Sequence, residues 1–180
     1  MSTAEAGRAR LFFGLWPDDS VRAGLSGLAR EAHAECGGRA IPAEKIHLTL
    51  FFVGSVERGR IARLEAAAQR VHGEAFQLAI DRIGYWRHNK IVWAGAARVP
   101  PALVALEASL REGLEGEGLR GEDRPYSPHV TLVRDAERKP APREVGPLLW
   151  NATDFVLAES VAVKGGVRYD VRRRWPLARA

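Results

Sequence analysis

Cysteine occurs once in the 180 residues, at Cys36. That excludes an intrachain disulfide framework and any zinc cluster built on thiolates. Long apolar runs are also missing. Leu11–Trp16, the longest near the N-terminus, is broken by Gly14 and stopped by Pro17, far short of the ~20 residues that span a bilayer. It is too short for a signal-peptide core as well, and Glu5 precedes it. A cytoplasmic protein with no membrane association is therefore expected. Lysine is scarce: Lys45, Lys90, Lys139 and Lys164 stand against 23 arginines.

What remains is a globular composition, 46% apolar and 27% charged, enough for one domain over residues 1–180 with a single core or two lobes sharing one. The formal charge is +5 and the pI near 9.9. An arginine-borne positive balance suits phosphate, since the guanidinium fork matches its oxygens. Genomic codon usage produces the same bias, so composition alone does not assign a polyanionic substrate.

Hydrophobic spacing predicts a strand at 11–16 and then a helix opened by Pro17-Asp18-Asp19, with Val21, Leu25, Ala29 and Ala32 on one face, closing at Gly37-Gly38. A strand at 46–53 closes at Gly54. A second helix carries Ile61, Leu64, Ala68 and Val71 and ends at Gly73. Strands at 76–83 and 91–97 flank a connection at 84–90. Pro100-Pro101 opens a third helix with Leu103, Leu106, Leu110 and Leu114 on one face. A glycine-rich loop fills 116–127, and a strand follows at 129–133. Residues 136–150 carry three prolines and are expected to have little regular structure. A hairpin closes the chain at 155–163 and 167–175. The order strand, helix, loop, strand occurs twice, with 36 residues from Leu11 to His47 and 38 from Ile91 to His129. A duplication folded about a pseudo-twofold axis would bring the ends of both repeats together.

Those ends are His47-Leu48-Thr49-Leu50 and His129-Val130-Thr131-Leu132. On a strand, residues two apart share a face. Each segment thus presents an imidazole beside a hydroxyl, backed by apolar residues. One histidine can take a proton from water while the other gives one to a leaving oxygen. The threonines can hold non-bridging phosphate oxygens. One such segment alone would read as an ordinary polar strand face; two, each ending a repeat, favour a catalytic pair. The residues themselves do not order the two roles. His33 and His72 read as helix-end histidines and His88 as a turn residue. Cys36 reads as a packed thiol, and no zinc-binding spacing joins the five histidines.

Arg10-Leu11-Phe12-Phe13-Gly14-Leu15, Lys45–Gly54, Val92-Trp93-Ala94-Gly95, Tyr126–Leu132, Gly165–Tyr169 and Trp175-Pro176-Leu177 together resemble the 2H phosphoesterase superfamily. The closer likeness is to its RNA 2′,3′-cyclic phosphodiesterases, historically called 2′-5′ RNA ligases. The resemblance implies an α+β, two-lobed, pseudo-symmetric fold, with antiparallel sheets flanking a central groove and helices outside. It implies hydrolysis of RNA 2′,3′-cyclic phosphate ends, tRNA-like fragments among them, to 2′-phosphomonoesters by a monomer with no metal and no other cofactor. Weak reverse 2′-5′ ligation would use the same groups. It also implies that His47 is the proton donor and His129 the acceptor, with Thr49 and Thr131 on phosphate. The rivals are a phosphodiesterase for a small cyclic nucleotide and a non-catalytic RNA-binding module.

Further substrate contacts are expected from Tyr126 and Trp86 as stacking surfaces and from Arg124 and Arg134 as phosphate ligands. Core-edge packing of the aromatics and solvated arginines are the plainer alternatives. Arg172-Arg173-Arg174 reads as a solvated strand end, with RNA contact the minority reading.

Overall fold

A computed structural model describes residues 7–179; Glu5 lies outside them. Nine strands and three helices alternate as β1 (Arg8–Leu15), α1 (Asp19–Cys36), β2 (Arg39–Ala40), β3 (Leu48–Glu57), α2 (Ile61–Gln69), β4 (Phe76–Trp86), β5 (Ile91–Gly95), α3 (Pro101–Glu115), β6 (Val130–Arg134), β7 (Arg143–Ala152), β8 (Asp154–Val163) and β9 (Gly166–Pro176). No helix of the described residues is long and apolar enough to cross a membrane.

The helices start and stop where local chemistry says they should. Asp18 caps α1 by accepting the Val21 amide at 2.9 Å. Val21, Leu25, Ala29, Ala32 and Cys36 make its buried face. Gly37 ends it, its N–H returning to the His33 carbonyl at 2.8 Å. Burying a residue such as Leu25 completely contributes roughly 2 kcal/mol. α2 stops at Gln69 rather than Gly73. The C-terminal segment takes over there: the Ala178 N–H bonds the Gly73 carbonyl and the Ala75 N–H bonds the Ala178 carbonyl, so residues 73–75 are held extended.

The strands form one antiparallel path in the order β7-β4-β5-β6-β3-β1-β8-β9, with β2 on β6. Two four-stranded halves meet at a seam between β3 and β6 that rests on one residue pair, Leu48 with Val130. The order strand, helix, strand recurs in β1–α1–β3 and β5–α3–β6, each with its two strands adjacent in the sheet, and the paired residues each follow a motif histidine. So weak a seam needs other support. α1 of the first repeat packs on β6 and β7 of the second half, and α3 packs on β3 of the first. The main core is continuous across both halves.

Three expectations change. β4 runs on to Trp86, leaving only residues 87–90 as the turn. Gly54 does not close β3; it lies at a bulge, φ 77°, where Leu11 and Phe12 face Gly54 and Phe52. β3 then continues to Glu57. Of residues 136–150, expected to have little regular structure, those from Arg143 on belong to β7, which runs to Ala152 on the outer edge of β4. An edge tolerates Pro147, whose missing N–H has no neighbour to serve, and the ladder is offset between Ile80 and Arg82. Trp150, wholly buried, ties this strand to the core.

Candidate active site

Both motif histidines lie one residue before their strands, at the seam, and line one groove of about 630 Å³. Leu48, Leu50, Val130 and Leu132 are buried on the opposite side, as strand alternation requires. The ladder then breaks at the same place in each motif. Phe13 and Gly14 face Phe51 and Thr49, leaving Leu50 unopposed. Val92 and Trp93 face Val133 and Thr131, leaving Leu132 unopposed. Each bulge bends the strand just past its threonine, a common device beside functional sites. Gly14 permits the approach of β1 here, since a Cβ on it would stand 2.8 Å from the Leu48 carbonyl oxygen.

Backbone carbonyls fix the rings. His47 Nδ1 is 2.7 Å from the Lys45 oxygen and His129 Nδ1 is 2.8 Å from the Ser127 oxygen. A carbonyl only accepts, so each Nδ1 carries its proton and each Nε2 is left for chemistry. His47 Nε2 is 3.1 Å from Thr49 Oγ1. The surroundings of the two rings differ. His47 sits among Phe12, Trp16 and Tyr169, with ring centroids 4.8, 5.1 and 5.2 Å away. His129 has Trp86 edge-on at 4.4 Å.

Burial lowers the His47 pKa to about 4, helped by the nearby charges of Arg134 and His129 and opposed by the bond to Lys45. His129 is lowered too, by burial first and then by Arg124 and Arg134, against the bond to Ser127 and the charge of Glu122. Both rings are therefore neutral at pH 7 in the empty groove, and the acid of an acid–base pair has to gain its proton as an anion arrives.

Of the other expected contacts, Thr131, Trp86, Tyr126, Arg124 and Arg134 all line the groove. Arg134 has no carboxylate within ion-pair distance among the described residues, whereas Arg124 is paired with Glu122. Tyr126 is more than a surface to stack on: its hydroxyl donates to the Thr49 carbonyl at 3.1 Å, tying the segment before the second motif to the first. Burial raises its pKa, so it stays a donor. Trp86 is half-buried on the groove wall and touches Trp93 as well as His129.

His88 lines the groove, while His33 and His72 are exposed and elsewhere. His72 lies beyond α2, not at its end. No three of His, Cys, Asp or Glu gather as metal ligands among the described residues. Arg172, Arg173 and Arg174 pair with Glu159, Glu65 and Asp154. Sequence reasoning missed Trp16 as a site residue and used Phe12, Lys45 and Tyr169 only for their likeness. Phe12 sits on a strand in which every residue from Leu11 to Leu15 is buried. Its apolar character therefore carried no signal of a groove.

A family model described as the 2′-5′ RNA ligase superfamily matches residues 17–162. The chain belongs to this superfamily. An Escherichia coli K12 relative named RNA 2′,3′-cyclic phosphodiesterase is 34% identical over 141 residues, covering 78% of this chain and 80% of its own length. One of the same name from Archaeoglobus fulgidus is 28% identical over 176 residues, 91% and 98% of the two chains. Among solved structures, E. coli LigT complexed with 3′-AMP gives a TM-score of 0.86 at 30% identity, over 94% of this chain and 98% of that one. The α+β fold is thus that of the 2′-5′ RNA ligase superfamily, with its antiparallel sheet and three helices.

Proposed function

We propose that this chain hydrolyses the 2′,3′-cyclic phosphate end of RNA to a 2′-phosphomonoester. The observation that carries the reading is the pair of rings in one groove, each with Nδ1 committed to a backbone carbonyl, so that Nε2, which on His47 meets only the Thr49 hydroxyl, is the nitrogen turned to chemistry. The names of the relatives support the same reaction. His129 Nε2 takes a proton from water as its oxygen attacks phosphorus in line. The bond from phosphorus to the 3′ oxygen breaks, and His47 Nε2–H delivers the proton to that oxygen. Each proton transfer is typically worth ~10²–10⁴ in rate. Thr49 and Thr131 donate to the non-bridging oxygens, and Arg134 balances their charge. The order of the two roles rests on the family likeness. The scheme uses no metal and treats the chain as a cytoplasmic monomer.

Ligation of a cyclic phosphate to a 5′ hydroxyl uses the same steps with that hydroxyl in place of water: His129 takes its proton, the new bond to phosphorus forms, and the 3′ oxygen leaves with the proton from His47. It is weak, because water at ~55 M competes in an open groove. The test is an oligoribonucleotide ending in a 2′,3′-cyclic phosphate, with the phosphate position of the product assigned. A 2′-phosphate is expected. A 3′-phosphate, or no turnover, would refute the reading. Comparable turnover of a mononucleoside cyclic phosphate would move the substrate class to small cyclic nucleotides.

A further inference from the structure

The two motifs are equivalent in sequence and in sheet position, yet their histidines are housed differently. Phe12, Val156 and Ala158 form a small apolar cluster separate from the main core, with Trp16 and Tyr169 packed on it. This cluster lies against His47. Phe12 comes from β1, Trp16 from the β1–α1 connection and Tyr169 from β9, so three distant segments converge on one imidazole. Trp16 makes the closest approach to a parallel stack on it, centroids 5.1 Å apart with 18° between planes. Phe12 is tilted by 40° and Tyr169 stands edge-on at 84°. Among the described residues nothing equivalent surrounds His129, whose one aromatic neighbour there, Trp86, meets it at 74°.

Two edges of the His47 ring are pinned by hydrogen bonds to the Lys45 carbonyl and Thr49. Those bonds leave rotation out of the face unopposed, and the indole opposes it. The same contact keeps water off that face. The charged and titratable groups around the ring are few: Lys45 before β3, His129 and Arg134 from the opposite half, and the Tyr169 hydroxyl on β9. Among the described residues the carboxylate lining the groove is that of Glu122, which pairs with Arg124 and bears on His129, so the apolar wall acts on His47 without a compensating anion.

We propose that Trp16 is a positioning residue for His47: stacked on the imidazole, it holds the ring plane and withholds the proton until an anionic phosphate enters the groove. This rests on the reaction proposed above but is tested apart from it. Trp16 makes the equivalent histidines inequivalent, so that one is charged by substrate rather than by solvent. Its face-on stack also favours the cation once formed, by cation–π attraction, which limits what burial takes away.

The test is an NMR titration of ¹³C-histidine-labelled protein, with His47 and His129 resonances assigned by His→Gln variants. In Trp16→Leu the His47 midpoint is expected to rise by about one pH unit toward its ordinary value as water reaches the ring, with the His129 midpoint unmoved. The alkaline limb of kcat/KM should rise with it. Trp16→Phe keeps a flat but smaller ring and should give an intermediate rise, which decides the matter if the leucine variant does not fold. An unmoved His47 midpoint, or equal movement of both histidines, would overturn the proposal. Were the wild type inactive on cyclic phosphate ends, the reaction would be misassigned, yet the two midpoints would still decide the role of Trp16.

Discussion

The pH profile of catalysis should split in two. In the free protein His47 titrates near pH 4, so at pH 7 only about one molecule in 10³ carries the proton the acid must deliver. A singly charged phosphate about 4 Å from the ring attracts that proton by about 4 kcal/mol at an effective dielectric of about 20. Arg134 and Lys45, which share the groove, neutralise part of that field. At about 1.4 kcal/mol per unit, a net rise of about two pH units is expected on binding. The sign is the same for any histidine that gains an anion: the charged form is favoured and the midpoint moves up. kcat/KM reports the free protein and kcat the complex. Because both histidines are lowered in the free protein, initial rates on an oligoribonucleotide 2′,3′-cyclic phosphate should show a kcat/KM alkaline limb below histidine's usual range and a kcat limb that lies higher. The limbs belong to the coupled pair until a mutant separates them: His47→Gln should flatten the alkaline limb and His129→Gln the acid one. Superimposed profiles, or a kcat/KM limb at or above about pH 6.5, would refute the reasoning.

His47 also makes stability fall with acid. Its folded pKa lies below the unfolded 6.5, so stability is full above that value and is lost as pH falls toward 4, by roughly 3 kcal/mol at most. Urea midpoints at pH 7 and 4.5 should differ less in His47→Gln than in wild type. Tyr126→Phe removes the bond to the Thr49 carbonyl; about 1 kcal/mol of stability and a several-fold loss of kcat are expected by denaturation and steady-state rates. Gly14→Ala forces the Leu48 carbonyl and the first motif away, which should lower stability by about 1–3 kcal/mol in a urea titration. Exhaustive EDTA treatment should leave turnover unchanged; restoration by a divalent ion after loss would mean that a metal site was overlooked.

The sequence makes the motif strands, the three helices and the duplicated order legible because each rests on short-range pattern: 3.6-residue spacing in α1 and α3, alternation in 47–50 and 129–132. β7 is hidden because prolines are tolerated at a sheet edge, and an edge becomes visible only when its partner β4 is placed. β3 is read too short, since Gly54 makes a bulge where its local character suggests an end. The proposed catalytic pair is legible as chemistry in sequence. The walls around it are not. Phe12, Trp16 and Tyr169 are separated by up to most of the chain, and their convergence on His47 depends on β1 lying between β3 and β8. Tyr126, expected as a base platform, has its hydroxyl committed to a backbone carbonyl that local sequence could not bring near.

The central claim is that His47 and His129 act as one unit on a single phosphorus. Single-turnover rates for His47→Ala, His129→Ala and the double variant on a 2′,3′-cyclic phosphate oligonucleotide test it directly. Each single variant should lose at least ~10² in rate with the fold retained, and the double variant should be far less than multiplicatively worse. Near-normal turnover in either single variant, or losses that multiply, would contradict the account.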